Sequence, residues 1–465
     1  MRQLPVPRFR SPLRGPWLTS VFATVLLVGM PIVIVTGLLS YAAYEPRLAG
    51  NDTTAGAGLL RFYLFAWPTS PSWIYRLTQG VHVTLALVLI PVVLAKLWSV
   101  IPRLFVFPPV KSLAQALERI SLLALVGGIL FEIITGVLNI QSDYVFGFSF
   151  YTAHLYGAWV FIAGFVVHVG IKLPTMLRSL RTRRLRDELH VPASATEPEL
   201  TGLGIDDDLV ARDPAPATMS RRALAGVVAA AAALVGGLSI GQTLGGPLRR
   251  TALLSPRGRS YGSRPTDFQI NKTAATAGVM PAATDTAWRL EVAGPGGTKT
   301  FTRAELLAMA QHSHQLPIAC VEGWSSVQTW TGVRLGDLAA LVGAGGQQVH
   351  VQSIQRGGFG SVTLSKGQAG DHTTLLALKV NGADLSLDHG YPARLIIPRS
   401  RTALVMTAGR KKARSSTCTG LVGTFQSVAL RDGSPESESG TISLSHSEAN
   451  SAPTTVRNQA VPVIT

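Results

Sequence analysis

Five stretches of this chain are long and apolar enough to cross a bilayer, which takes about 20 residues. They run roughly over 17–41, 79–101, 117–140, 150–173 and 223–245; the first four are rich in Leu, Val and Ile, the fifth in Ala and Gly. A chain of 465 residues that is 47% hydrophobic, 15% charged and has a mean hydropathy of +0.29 is too apolar for a soluble protein and too polar for a membrane bundle alone. The expectation is a multi-domain protein: an all-α transmembrane bundle of four spans over 17–175, a fifth anchoring span within 220–247, and an α+β domain over 262–398.

The net charge of +16 does not read as a nucleic-acid surface, because the basic residues cluster in loops beside the apolar stretches. Arg2, Arg8, Arg10 and Arg14 precede the first span, Arg103 and Lys111 lie between the second and third, and Lys172, Arg178, Arg181, Arg183, Arg184 and Arg186 follow the fourth. The loops 42–78 and 141–149 carry few. The positive-inside rule then puts residues 1–16 and the Pro- and acid-rich linker 176–219 in the cytoplasm and the last domain outside, in a multi-pass protein of the cell membrane. Two cysteines, Cys320 and Cys418, give neither a disulfide framework nor a CxxC motif.

Ser220-Arg-Arg-Ala-Leu224 before the fifth stretch resembles a twin-arginine signal, which hands a protein already folded around its cofactor to the twin-arginine export machinery. Two arginines are also ordinary flanks of a cytoplasmic helix end. Gly245-Gly-Pro247 does not resemble a cleavage site, so the fifth span is expected to stay as an anchor.

Ionisable groups inside spans are costly and mark function. His82 opens the second span, and His154 and His168 stand 14 residues apart in the fourth, on nearly the same helix face and about 21 Å apart along the axis. That spacing resembles the four-helix b-type cytochromes, whose axial haem ligands are histidines. His82 and His154 fall at the same outer level and form one expected haem site; for a second, His168 faces Lys96 where a histidine would be needed. Interhelical hydrogen bonding is the plainer reading of all three. Glu118 and Glu132 are left between pairing with Arg119 and serving a quinone.

Cys320 lies in Pro317-Ile-Ala-Cys-Val-Glu-Gly-Trp-Ser325, a strand-to-turn segment, and a lone thiolate there suits a soft metal. With Trp330-Thr-Gly-Val-Arg-Leu-Gly-Asp-Leu338, Phe268-Gln-Ile-Asn-Lys272, Trp288-Arg-Leu-Glu-Val292 and Asp388-His-Gly-Tyr-Pro-Ala-Arg-Leu-Ile-Ile-Pro398, this string resembles the molybdopterin-binding fold of the sulfite oxidase family, most like its periplasmic methionine sulfoxide reductase branch. The resemblance implies that Cys320 is the protein ligand to molybdenum and that Asn271, His389 and Arg394 contact the pterin or its phosphate. His389 reads equally as a turn residue. Arg356 stands where it would face an anionic substrate, or is a solvated turn arginine. Strand then helix is expected over 298–310, a helix over 335–342, and strands at 349–353 and 394–397 in a mainly mixed sheet.

The function implied is two-electron oxygen-atom transfer at molybdenum, coupled through membrane haem to quinone or quinol, with a sulfoxide-like substrate. Sulfite oxidation, a haem-free membrane-anchored molybdoenzyme and a non-catalytic protein that has lost its cofactor are the alternatives. The likeness stops at Pro398. The Ser/Thr/Pro-rich 399–465 is expected to be disordered, through a changed reading frame or with Arg399, Arg401, Arg410 and Lys411 replacing lost cationic contacts.

Overall fold

The computed structural model describes residues 9–44, 73–105, 113–140, 150–201, 207–255, 262–397 without 272, 276, 280–285, 321, 355–360 and 365, and the backbone of 425–430. Arg356, Cys418 and Pro398, and the basic residues proposed to follow it, lie outside them.

The long apolar runs become α1 (Pro16–Tyr44), α2 (Trp73–Val100), α3 (Leu113–Asn139) and α4 (Phe150–Leu180). After a one-turn α5 (Leu185–Glu188) come α6 (Arg221–Gly237) and a short α7 (Gly241–Leu244). Among the described residues, five helical segments are long and apolar enough to span a membrane. Their outward faces carry Val28, Leu123, Val166 and Leu234, so they are apolar outside as well as inside, as a helix in lipid must be. α3 packs on α4, α1 on α2 and α4, and α6 on α2. The fifth helix stops at Gly237 rather than running to Gly245, because the Gly236-Gly237 pair carries the weakest helix propensity short of proline.

The segment expected to be a plain linker is folded against the start of α1. Glu199 accepts from the Trp17 and Leu18 backbone N–H groups (2.7 and 3.2 Å), capping α1 with a carboxylate at the positive end of its dipole. Burial pushes the Glu199 carboxyl above its ordinary value, and these two hydrogen bonds and nearby Arg221 and Arg183 oppose the rise. Ser220 caps α6, accepting from Ala223 N–H. Arg221 is buried, bridges to Glu188 at 2.9 Å and donates to the Pro12 and Glu197 carbonyls. The first arginine of the signal-like pair therefore has a packing role of its own.

The C-terminal domain is two sheets. One is mixed, in the order β2 (Gly297–Phe301), β1 (Leu290–Gly294), β10 (Phe425–Leu430), β5 (Val349–Ser353), β6 (Ser361–Leu364). The other is antiparallel throughout: β3 (His312–Ala319), β4 (Ser325–Arg334), β7 (Leu375–Val380), β8 (Ala383–Asp384), with β9 (Arg394–Ile396) also on β7. α8 (Arg303–Ala308), α9 (Leu335–Ala340) and α10 (Lys366–Gly370) complete it. Both expected helices and the strands at 349–353 and 394 onward are present.

β10 corrects the expectation of disorder throughout the tail. It lies between β1, to which it runs parallel with Val292 opposite Val428, and β5, antiparallel with Val351 opposite Val428. Without it, the inner edges of β1 and β5 would be unpaired inside the sheet.

The alternation of strand side chains assigns two cores. On β7, Leu376 and Leu378 join one core with Leu290, Val292 and Val351, whereas Leu375 and Ala377 face the other way into a core containing Cys320, Trp324 and Trp330. The same alternation on β9 sends Leu395 to the first core and Ile396 to the second. Arg394, two residues from Ile396, therefore faces the cysteine core.

A buried cysteine turn and two interhelical cavities

The hairpin from β3 to β4 is closed by residues 320–324, since Ala319 pairs with Ser325. Its loop is held by Cys320 N–H donating to the Trp324 carbonyl and Gly323 N–H to the Cys320 carbonyl, both at 3.0 Å. Cys320 and Trp324 are each 0% exposed. The indole N–H of Trp324 donates to Glu322 Oε2 at 2.7 Å, and that oxygen also accepts from the Gln242 amide at 3.0 Å.

Arg394 stands opposite Ala377, whose small side chain leaves room for it. Its Nη1 donates to the His389 carbonyl at 3.3 Å and its Cζ lies 5.3 Å from the Trp330 ring centre. The residue is 1% exposed, and among the described residues Nε and Nη2 find no hydrogen-bond partner. Desolvation brings the guanidinium down to about 9. A buried cation with two idle donors is costly on its own and is suited to an anion that fills the fork.

His389 is held by its turn: Ser386 Oγ lies 2.8 Å from Nδ1 and accepts from the His389 backbone N–H, and Nε2 is 3.4 Å from the Gln269 carbonyl. Its ring stacks on Phe268 with centres 3.8 Å apart. Burial, then the charge of Arg394, lowers it to about 4, so the ring is neutral near pH 7. Asn271 is buried in the same strap, between Gln269 and Ala274, whose N–H donates to Asp388 Oδ1 at 2.8 Å. Phe268 packs edge-on to Trp330 at 6.0 Å. Cys320, His389 and Arg394 are thus gathered around Phe268 and Trp330, and Asn271 is buried three positions along the chain from Phe268.

The helical region holds a second constellation. The rings of His82 and His154 have centres 6.2 Å apart and planes at 84°. His82 Nδ1 lies 2.9 Å from the Val33 carbonyl, and His154 Nδ1 lies 3.0 Å from both Thr135 Oγ1 and Glu132 Oε2. Both rings line a cavity of about 190 Å³ between α1, α2, α3 and α4. Gly37 and Gly136 stand beside the rings: a Cβ on either would come within 2.8 Å of His82 Cε1 or 3.1 Å of His154 Cε1. His168 is not brought to this pair; with Lys96 it lines a separate cavity of about 170 Å³.

Sequence reasoning missed Gln242, which looked like anchor sequence, and the role of Glu322, although the latter lies inside the quoted cysteine string. The sequence does not match Glu132 of α3 to His154 of α4, because order along the chain does not say which helix faces meet.

Residues 277–405 match the family described as oxidoreductase molybdopterin binding domain. Nitrate reductase (NADH) of Ulva prolifera is 39% identical over 89 residues, 16% of this chain and 10% of that protein. Sulfite oxidase of Arabidopsis thaliana is 34% identical over 85 residues, 15% and 22% of the two chains. A putative protein-methionine-sulfoxide reductase subunit YedZ1 of Azospira oryzae is 31% identical over 112 residues, 24% and 42%. The chain spans less than half the length of each of these relatives. Residues 277–405 are a molybdopterin-binding oxidoreductase domain of the sulfite oxidase type.

Proposed function

We propose that this chain is a membrane-bound, molybdopterin-dependent oxidoreductase that carries electrons from quinol, through a haem held by His82 and His154, to molybdenum held by Cys320, where a sulfoxide-like substrate is reduced. The observation that carries the reading is the side of the buried Arg394 fork that finds no partner among the described residues, over Trp330 of the core that contains Cys320. The residues fit the cofactor: Cys320 offers a soft donor shielded from water, Arg394 two N–H groups for a phosphate, and Asn271 and the neutral His389 a buried polar wall. When bound, the molybdenum group supplies two-electron oxygen-atom transfer. A sulfoxide takes up two electrons and two protons to give a sulfide and water, and a quinol releases the same number of each.

His82 and His154, with ring centres 6.2 Å apart in the cavity they both line, would hold the haem, which would supply one-electron transfer. Each Nδ1 is engaged by a carbonyl, hydroxyl or carboxylate, which orients the ring and leaves Nε2 for metal. The likeness to YedZ1 supports the sulfoxide direction. Arg221-Arg222 at the start of α6 supports export through the twin-arginine route, and the basic residues 178–186 at the end of α4 support a cytoplasmic N-terminus.

Metal analysis and a reduced-minus-oxidised spectrum of the detergent-purified full chain test this together. About one molybdenum per chain and b-type bands are expected. Cys320→Ala should abolish turnover of sulfoxides and keep the bands, and His82→Ala should remove the bands and keep the molybdenum. Molybdenum at background in a host that makes the cofactor would overturn the reading.

A further inference from the structure

The cysteine turn does not face solvent; it is seated on the helical region. Gly323, at φ 84°, rests against the backbone of α2, where a Cβ would come within 2.6 Å of the Gly80 Cα and 2.7 Å of the Gly80 nitrogen. A side chain at 323 is therefore excluded twice, by its own left-handed conformation and by the helix beneath it. Gly80 in turn lies under the Thr243 side chain of α7.

Beside this backbone contact lies a buried polar one. Glu322 is 3% exposed, and its Oε2 takes one donor from its own turn, Trp324, and one from Gln242 of α7. Gln242 is buried as well. A carboxylate withdrawn from water needs such donors, and Glu322 loses the Gln242 donor when the turn and α7 part. Gly80 precedes His82 by two positions on α2, about 3 Å along the helix axis. The residue after the one that follows Cys320 and the segment that leads into the histidine pair thus belong to one interface, with no side chain between the Gly323 and Gly80 backbones.

The geometry points to a built docking surface, in which the Cys320 turn is locked onto the ends of α2 and α7 and Glu322 is its positioning residue, so that the group held by Cys320 and the group held by His82 and His154 keep a fixed short separation. The electron-transfer consequence rests on the function proposed above; the docking does not.

The test uses the full-length protein in detergent. Gln242→Glu sets a second carboxylate against Glu322. Hydrogen exchange in peptides covering 318–325 and 76–82 should then accelerate at least tenfold. Adding Glu322→Gln should restore protection, because the amide introduced at 322 donates to the carboxylate introduced at 242 and its oxygen still accepts the Trp324 N–H. Unchanged exchange in both peptides of the single variant would overturn the docking. With methionine sulfoxide as the probe, and at molybdenum and haem contents equal to those of the parent, reoxidation of the reduced haem should slow at least tenfold in the single variant and recover in the double. An equal rate despite faster exchange would overturn the role of docking in electron transfer. A parent protein without haem bands would remove the functional reading while leaving the exchange result to decide the docking.

Discussion

Arg394 is a charge held where water is absent, and its chemistry sets two expectations. A lysine has the charge but a point ammonium in place of a planar fork. Arg394→Lys should weaken retention of the pterin cofactor at least tenfold, about 1.4 kcal/mol, read as molybdenum and pterin per chain after gel filtration. Loading with an anion should also draw the guanidinium back up from about 9, since an opposite charge favours the protonated form. His389 makes a pH prediction. Its folded value near 4 lies below the ordinary 6.5, so between these limits the unfolded chain binds the extra proton. Stability should therefore rise with pH from about 4 to about 6.5, with a slope from this group of at most about 1.4 kcal/mol per pH unit. Melting temperatures of the parent across that range should climb more steeply than those of His389→Gln. These residues were legible as candidates because their neighbours formed a recognisable string. What could not be read was that Ser386 fixes the His389 ring and that Ala377 makes room for Arg394, because both depend on a turn and on strand register.

At the scale of elements, helices longer than 25 residues and apolar on every face were readable from hydropathy alone, since such a segment has no other stable home. The cap on α1 was not readable. Glu199 reaches Trp17 and Leu18 from 182 and 181 positions away, and nothing in a Pro- and acid-rich stretch announces which helix it will cap. Glu199→Ala should cost about 1–2 kcal/mol, seen as a lower melting temperature in detergent and faster proteolysis within 187–218. Glu199→Gln, whose side-chain oxygen can still accept one N–H, should fall between the two.

For the whole molecule, the order of strands matters more than their number. β10 comes last in sequence and sits in the middle of its sheet, so a chain ending at residue 424 should leave β1 and β5 unpaired and fail to yield a protease-resistant C-terminal domain. A chain ending at residue 434 should retain it, and limited proteolysis of the two truncations separates the cases. Composition around 425–430 is too close to its polar surroundings for the strand to stand out, and it is a strand because two edges with matching spacing await it.

The amino-acid sequence by itself determined the division into apolar helices and a polar sheet domain, and it marked Cys320, Asn271, His389, Arg394, His82 and His154. Periodicity and charge flanks are local properties, and a short string around a metal-binding cysteine is local too. Only the tertiary structure decided that Cys320, His389 and Arg394 gather around Phe268 and Trp330, that Glu132 orients His154, and that Gly323 rests on Gly80. Those outcomes depend on which surfaces meet across separations of up to 243 residues, and that choice is made by burial and hydrogen-bond satisfaction in the folded chain.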